Sequence, residues 1–326
     1  MDRSVSGGGG GEDVPALPSS VFFQYPIARN APQGRWSHSA SQLGHLMVVY
    51  GGVAHAVLDD LQVLDSQTMC WTTVTARAAK PKDRPGQLLG HASAAVGDVV
   101  WVFGGQCGRE CQNHLYSLTC SPQSDVFTWQ RHANDTLPTA RSGHSMATVH
   151  ESVYLFGGQG KKLYNDLHKL EGAAGSFSEV VARGKPPTPR HGQSMAWDGL
   201  DLLVVFGGLT AGSVDNTLSV FSLSRSEWTS PQCFGTAPSA RSEHSSVMLS
   251  PGVLLFFGGC NTTGQFYGMS RWWRVVSLLL NHYQRLLCVC VQVQATLLSL
   301  TPARSSGTRP PSSTLARRPA TSTPAA

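Results

Sequence analysis

The stretch Val153-Tyr154-Leu155-Phe156-Gly157-Gly158 is an apolar run closed by a glycine pair, and the chain repeats it. The same ending recurs at Gly51-Gly52, Gly104-Gly105, Gly207-Gly208 and Gly258-Gly259, with successive offsets of 53, 53, 50 and 51 residues. A fixed period of this size marks a repeat architecture, and missing it would mis-assign the whole chain. Other features keep phase with the pair. Sixteen or seventeen residues before it stand Arg35 with His38, Arg141 with His144, and Arg241 with His244. Two repeats weaken this start: Leu88-Leu-Gly-His91 lacks the Arg, and Arg190-His-Gly-Gln193 lacks the final His. Downstream come a polar–Leu step (Asp60-Leu61, Asn113-His-Leu115, Asp166-Leu167, Asn216-Thr-Leu218) and then an aromatic, Trp71, Trp129, Phe177 or Trp228.

Each period has room for four short strands bounded by turn residues. In the third repeat the pattern predicts strands near Ser145–Val149, Val153–Phe156, Asp166–Leu170 and Phe177–Val181. Short, largely apolar strands suit sheets buried on both faces between neighbours. A glycine at the end of the second strand permits φ > 0 and close backbone approach. The late aromatic is placed to fill the gap between adjacent sheets. Four-stranded sheets repeated radially make a β-propeller.

A glycine pair after an apolar strand, Arg-x-x-His before it and Trp in the last strand resemble the kelch repeat. The likeness covers about Val21 to Gly268 and is nearest to stand-alone kelch proteins of the Rab-effector and leucine-zipper-like-regulator type. It implies an all-β, kelch-type β-propeller, cytoplasmic or nuclear, that binds a partner protein. No BTB, BACK or F-box segment is expected before it. The expected division is a disordered Gly-rich start at 1–19, the propeller at 20–268, an atypical apolar segment at 269–300 and a disordered Ser/Thr/Pro/Arg tail at 301–326.

After Gly268 the repeat loses phase. The expectation is therefore four complete blades and a partial or composite fifth, with closure of the ring left open. The first two strands of that fifth blade fall within Ser245–Phe257. Its third is expected around Arg274–Leu280, and Val21–Tyr25 is a candidate for its outer strand. The run Val275–Leu300 is interrupted by Asn281, His282, Gln284 and Arg285, so no membrane span is expected there.

Composition narrows the function. The formal charge of +5 comes from the tail: no Asp or Glu follows Glu243, and without the seven later arginines the chain has 18 basic against 20 acidic residues. The body therefore has no electrostatic footprint for nucleic acid. The N-terminus lacks the apolar core of a signal peptide. The eight Cys form no paired framework and are expected as reduced thiols. No cofactor and no metal are expected. Cys107, Cys111 and His114 have a superficial zinc spacing, but Cys120 lies beyond a strand and cannot complete the set.

The Arg and His positions recur too regularly for a catalytic centre, which needs one asymmetric set. Their expected role is to satisfy turn carbonyls and neighbouring backbones. The alternative function is a metal-dependent or small-molecule enzyme on a kelch propeller, of specifier-protein or oxidase type. It is disfavoured because no Glu is followed by Asp at four and His at eight. Loops carry binding on a rigid scaffold. Those after the second strands are Val53–Asp59, Gln106–Gln112, Gln159–Tyr164 and Leu209–Val214. Among their residues Arg109, Glu110, Lys161, Lys162 and Tyr164 are the candidate partner-binding set. The longer connections Thr75–Gln87, His132–Ala140, Ala182–Pro189 and Gln232–Ala240, rich in Pro and Gly, are expected as stiff turns on the other face.

Overall fold

The computed structural model describes residues 28–121, 126–234, 237–250, 253–267, 271–276 and 287–289. It shows five successive antiparallel meanders, one for each glycine pair. The first blade comprises Ser39–Leu43, Leu46–Tyr50, Leu61–Asp65 and Cys70–Val74, and the second Ala92–Val96, Val99–Phe103, Leu115–Ser121 and Val126–His132. The third comprises Ser145–Val149, Ser152–Phe156, Leu167–Glu171 and Ser176–Glu179, within two residues of the pattern read from the sequence. The fourth comprises Ser194–Trp197, Leu202–Phe206, Leu218–Ser222 and Glu227–Thr229.

The fifth blade begins with Ser242–Ser250 and Val253–Cys260 and is completed by Arg271–Val276 and Leu287–Val289. Its described fourth strand thus comes from the apolar segment. Val21–Tyr25, the expected N-terminal contribution, lies outside the described residues, as do 1–19 and 301–326.

The first strands of consecutive blades lie against one another in chain order, from Ser39–Leu43 through to Ser242–Ser250. Between each two neighbours sits one apolar cluster. Alternation produces this, because residues of opposite parity on one strand serve opposite interfaces. Val100 and Val102 face the first blade, whereas Trp101 and Phe103 face the third. The residue before each of the first three glycine pairs meets the late aromatic of the next blade. Tyr50 lies 5.1 Å from Trp129, Phe103 5.2 Å from Phe177, and Phe156 5.2 Å from Trp228. Trp129 and Trp228 are buried, and each such ring contributes about 2 kcal/mol or more through burial.

The connections between blades do more than turn. Arg77–Ala78 adds a parallel edge strand to Val126–His132, Arg183–Gly184 to Glu227–Thr229, and Gln232–Phe234 to Leu287–Val289. Arg29 makes the equivalent bridge to Cys70.

Candidate functional site

The glycine pairs are junctions between blades. The second glycine of each of the first four pairs donates its N–H to the next blade: Gly52 to Leu88 O (2.9 Å), Gly105 to Arg141 O (2.8 Å), Gly158 to Arg190 O (2.8 Å) and Gly208 to Arg241 O (2.9 Å). All ten glycines of the pairs lie at positive φ. A Cβ on Gly105 would stand 2.8 Å from His91 Cβ, and one on Gly104 would stand 2.7 Å from Arg141 O. No side chain fits where the backbone must come this close.

A second backbone chain runs from blade to blade. Gly90 N donates to Ser37 O (3.0 Å), Gly143 N to Gly90 O (2.7 Å), Gly192 N to Gly143 O (2.8 Å) and Glu243 N to Gly192 O (2.8 Å). All five residues are left-handed, with φ between 52° and 64°. The third position of the periodic Arg-x-x-His start is therefore a left-handed residue at the same point of every blade.

The repeated arginines clamp their own blade. Arg141 Nη1 donates to Gly157 O at 3.0 Å and to Asp166 Oδ1 at 2.6 Å, while Nη2 reaches Asp166 Oδ2 at 2.8 Å. Arg35 makes the same two-pronged bond to Asp60 at 2.6 and 2.9 Å and donates to Gly51 O at 3.2 Å. Arg190 donates to Gly207 O at 2.8 Å and pairs with Asp215 at 2.9 Å, and Arg241 donates to Gly258 O at 2.9 Å. Burial pushes the Asp166 carboxyl upward, but hydrogen bonds from Arg141 and His168 outweigh it and hold the group well below the usual carboxylate range. The second blade has neither partner. Leu88 stands at the arginine position and His114 at the aspartate position, as the bonds from Gly52 N to Leu88 O and from Gly104 N to His114 O show.

The repeated histidines are interior groups. His91, His144 and His244 are buried, and burial pushes each imidazole down to about 3, so they are neutral at pH 7. Gln193 occupies their position in the fourth blade and donates to Phe156 O at 2.9 Å. These groups sit at interfaces rather than in a cleft. Among the described residues, no three His, Cys, Asp or Glu side chains gather at a possible metal site. Cys111 Sγ lies 3.5 Å from both Ser142 Oγ and Gln159 O, whereas His114 Nδ1 lies 3.4 Å from Tyr116 Oη. Two of the three side chains of the superficial zinc spacing thus have different partners.

The candidate loop residues separate into two kinds. Arg109 and Glu110 are exposed at the tip of a small hairpin, in which Gln106–Cys107 pairs with Glu110–Cys111 and Gly108 turns at φ 63°. Lys161 and Lys162 are exposed on the neighbouring loop. Tyr164 is not. Its ring is buried, with the Arg141 guanidinium 4.2 Å from the ring centroid, so it shelters the Arg141–Asp166 pair and offers no ring to a partner. Sequence reasoning placed it outward because a loop position gives no sign of which way a ring turns. Of the structural positions, Trp129 and Trp228 are buried as expected, whereas Trp71 is only half-buried.

Residues 17–208 and, overlapping them, 90–275 match the KLHDC2/KLHL20/DRC7 Kelch-repeats domain. Acyl-CoA-binding domain-containing protein 5 of Arabidopsis thaliana is 29% identical over 260 residues, 75% of this chain and 39% of that protein. Human Host cell factor 2 is 28% identical over 253 residues, 70% of this chain and 31% of that protein. Human Kelch domain-containing protein 3 is 28% identical over 199 residues, 57% of this chain and 51% of that protein. The chain thus spans about half, or less, of the length of these relatives.

Proposed function

The chain belongs to the kelch-repeat family, and from that premise we propose that it is a scaffold holding a partner protein through loops on one propeller face. Family membership accords with a protein-interaction role at the coarse level. The finer reading is that the exposed charges of the second and third blades act together. One observation carries it: Cys111 Sγ meets Gln159 O at 3.5 Å, tying the hairpin that bears Arg109 and Glu110 to the loop that bears Lys161 and Lys162. Two neighbouring loops fixed to rigid sheets present a preorganised charged edge at little entropic cost. Three of these four charges are basic, so the partner segment they would suit is acidic.

No helix among the described residues is long and apolar enough to cross a membrane. Cys70, Cys107, Cys111 and Cys260 are free thiols, which supports a reducing compartment, cytoplasm or nucleus. Affinity capture with the full chain, compared with its Lys161→Glu/Lys162→Glu variant, tests the binding edge. Loss of a partner from the variant at an unchanged unfolding midpoint supports it. Equal capture by both proteins removes this edge from the proposal.

A further inference from the structure

Four internal interfaces define what one blade offers the next, and among the described residues the two end blades each leave one half of that arrangement uncovered. Inside the molecule, the residue before the glycine pair is sealed by the following blade: Tyr50 is 2% exposed, and Phe103, Phe156 and Phe206 are 0%. The same position in the fifth blade is Phe257, which is 58% exposed, with Val247 beside it at 51%. A Cβ on Gly258 would meet nothing within 4 Å, whereas one on Gly104 or Gly207 meets both the backbone and a His ring of the next blade. The side of this blade that faces forward is built like an interface and has no described residue seated on it at Gly258.

The first blade carries the complementary half. Register equates Met47, Leu64 and Trp71 with Val100, Leu118 and Trp129 of the second blade. Those three lie at 2%, 0% and 2% exposure beneath the first blade, whereas Met47, Leu64 and Trp71 are only half-buried. Trp36 is 62% exposed, and its counterparts, Ser142 and His191, lie against Gly90 and Gly143 of the blade before.

We propose that a second copy of this chain covers these surfaces, head to tail, with the forward side of its fifth blade against the backward side of the first. The occupant follows from the chemistry of the interfaces already present. Three of the internal contacts set a Tyr or Phe before the glycine pair against a Trp or Phe in the next blade's last strand, at centroid distances of 5.1 to 5.2 Å. Phe257 and Trp71 are the unused members of that pairing, and one copy supplies each. The contact is heterologous, so association proceeds beyond a pair unless the rotation closes.

Sedimentation equilibrium of the full chain over a range of concentrations is the test. The expected result is a mass that rises with concentration for the unaltered chain. Phe257→Glu and Trp71→Glu should each give a monomer at concentrations where the unaltered chain associates. An equimolar mixture of the two should give a dimer and nothing larger, because one intact end of each kind remains. The mixture also guards against misfolding, since only folded variants can pair. An unaltered chain that stays monomeric at all concentrations overturns the proposal, as ring closure within one chain would. A mixture that stays monomeric, or a single variant that dimerises alone through like ends, overturns it too.

Discussion

The second and third blades solve one packing problem with opposite chemistry. In the third, Arg141 is fully buried and holds Gly157 O, Asp166 and the Tyr164 ring. In the second, Leu88 fills the arginine position as part of an apolar cluster, and His114 replaces the aspartate. The backbone does not register the exchange. The bonds from Gly52 N to Leu88 O and from Gly105 N to Arg141 O differ by only 0.1 Å, at 2.9 and 2.8 Å. What the family fold requires here is the inter-blade backbone lattice, and the ion pair is one of at least two ways to fill the space beside it. Apolar replacement of a whole buried pair is often near neutral, whereas loss of one partner strands a charge.

The comparison breaks most sharply in an Arg141→Ala variant. It leaves Asp166 and Gly157 O without the guanidinium, and urea unfolding should show a loss of about 3 to 5 kcal/mol. Acid is an effect of similar size, and it acts on both blades through His91 and His144. Their folded values lie near 3 and their unfolded values near 6.5, so the unfolded chain takes up protons first as pH falls. Stability is full above about pH 6.5 and drains below it by about 1.4 kcal/mol per pH unit for each histidine, until the folded values are reached. Unfolding midpoints measured from pH 7 to pH 4.5 should show this slope. His144→Gln, which copies Gln193, should flatten it by one proton.

A smaller effect sharpens the comparison. Arg141→Leu with Asp166→His converts the third blade to the pattern of the second, and it should cost about 1.5 kcal/mol or less by the same unfolding assay. A double variant as damaging as Arg141→Ala would show that the third blade depends on the pair in a way the second does not. Least of all, Lys161→Glu/Lys162→Glu should move the midpoint by no more than about 0.5 kcal/mol, because those side chains are exposed.

Much of this was legible in the sequence because repetition turns single residues into statistics. Gly104-Gly105 or Trp129 alone would carry little weight, yet in phase with four other glycine pairs and three other aromatics they gave the blades and the direction of the buried rings. The Arg–Asp clamp was half visible. Arg141 and Asp166 stand 25 residues apart, and only the register of Ser152–Phe156 with Leu167–Glu171 shows that they meet. The edge strands were missed: Arg77–Ala78 and Arg183–Gly184 are two residues each, too short for alternation to appear, and lie in stretches whose Pro and Gly suggested turns. At the candidate binding edge the sequence identified exposed charge correctly at Arg109, Glu110, Lys161 and Lys162. It misjudged Tyr164, whose position depends on the arginine beneath it.

Those short edge strands bear on a hazard peculiar to sheet proteins. A bare outermost strand is a template on which a foreign chain can continue the ladder, and the first steps of aggregation exploit it. The second, fourth and fifth blades each have that strand paired along part of its length by the polypeptide arriving from the blade before. On the third blade, Thr136 Oγ1 takes up the N–H of Phe177 at 3.0 Å, and the strand it guards, Ser176–Glu179, is four residues long and ends in a carboxylate. The chain thus defends its rim with the same segments that link its blades, so shortening a linker would expose an edge as well as tighten a turn.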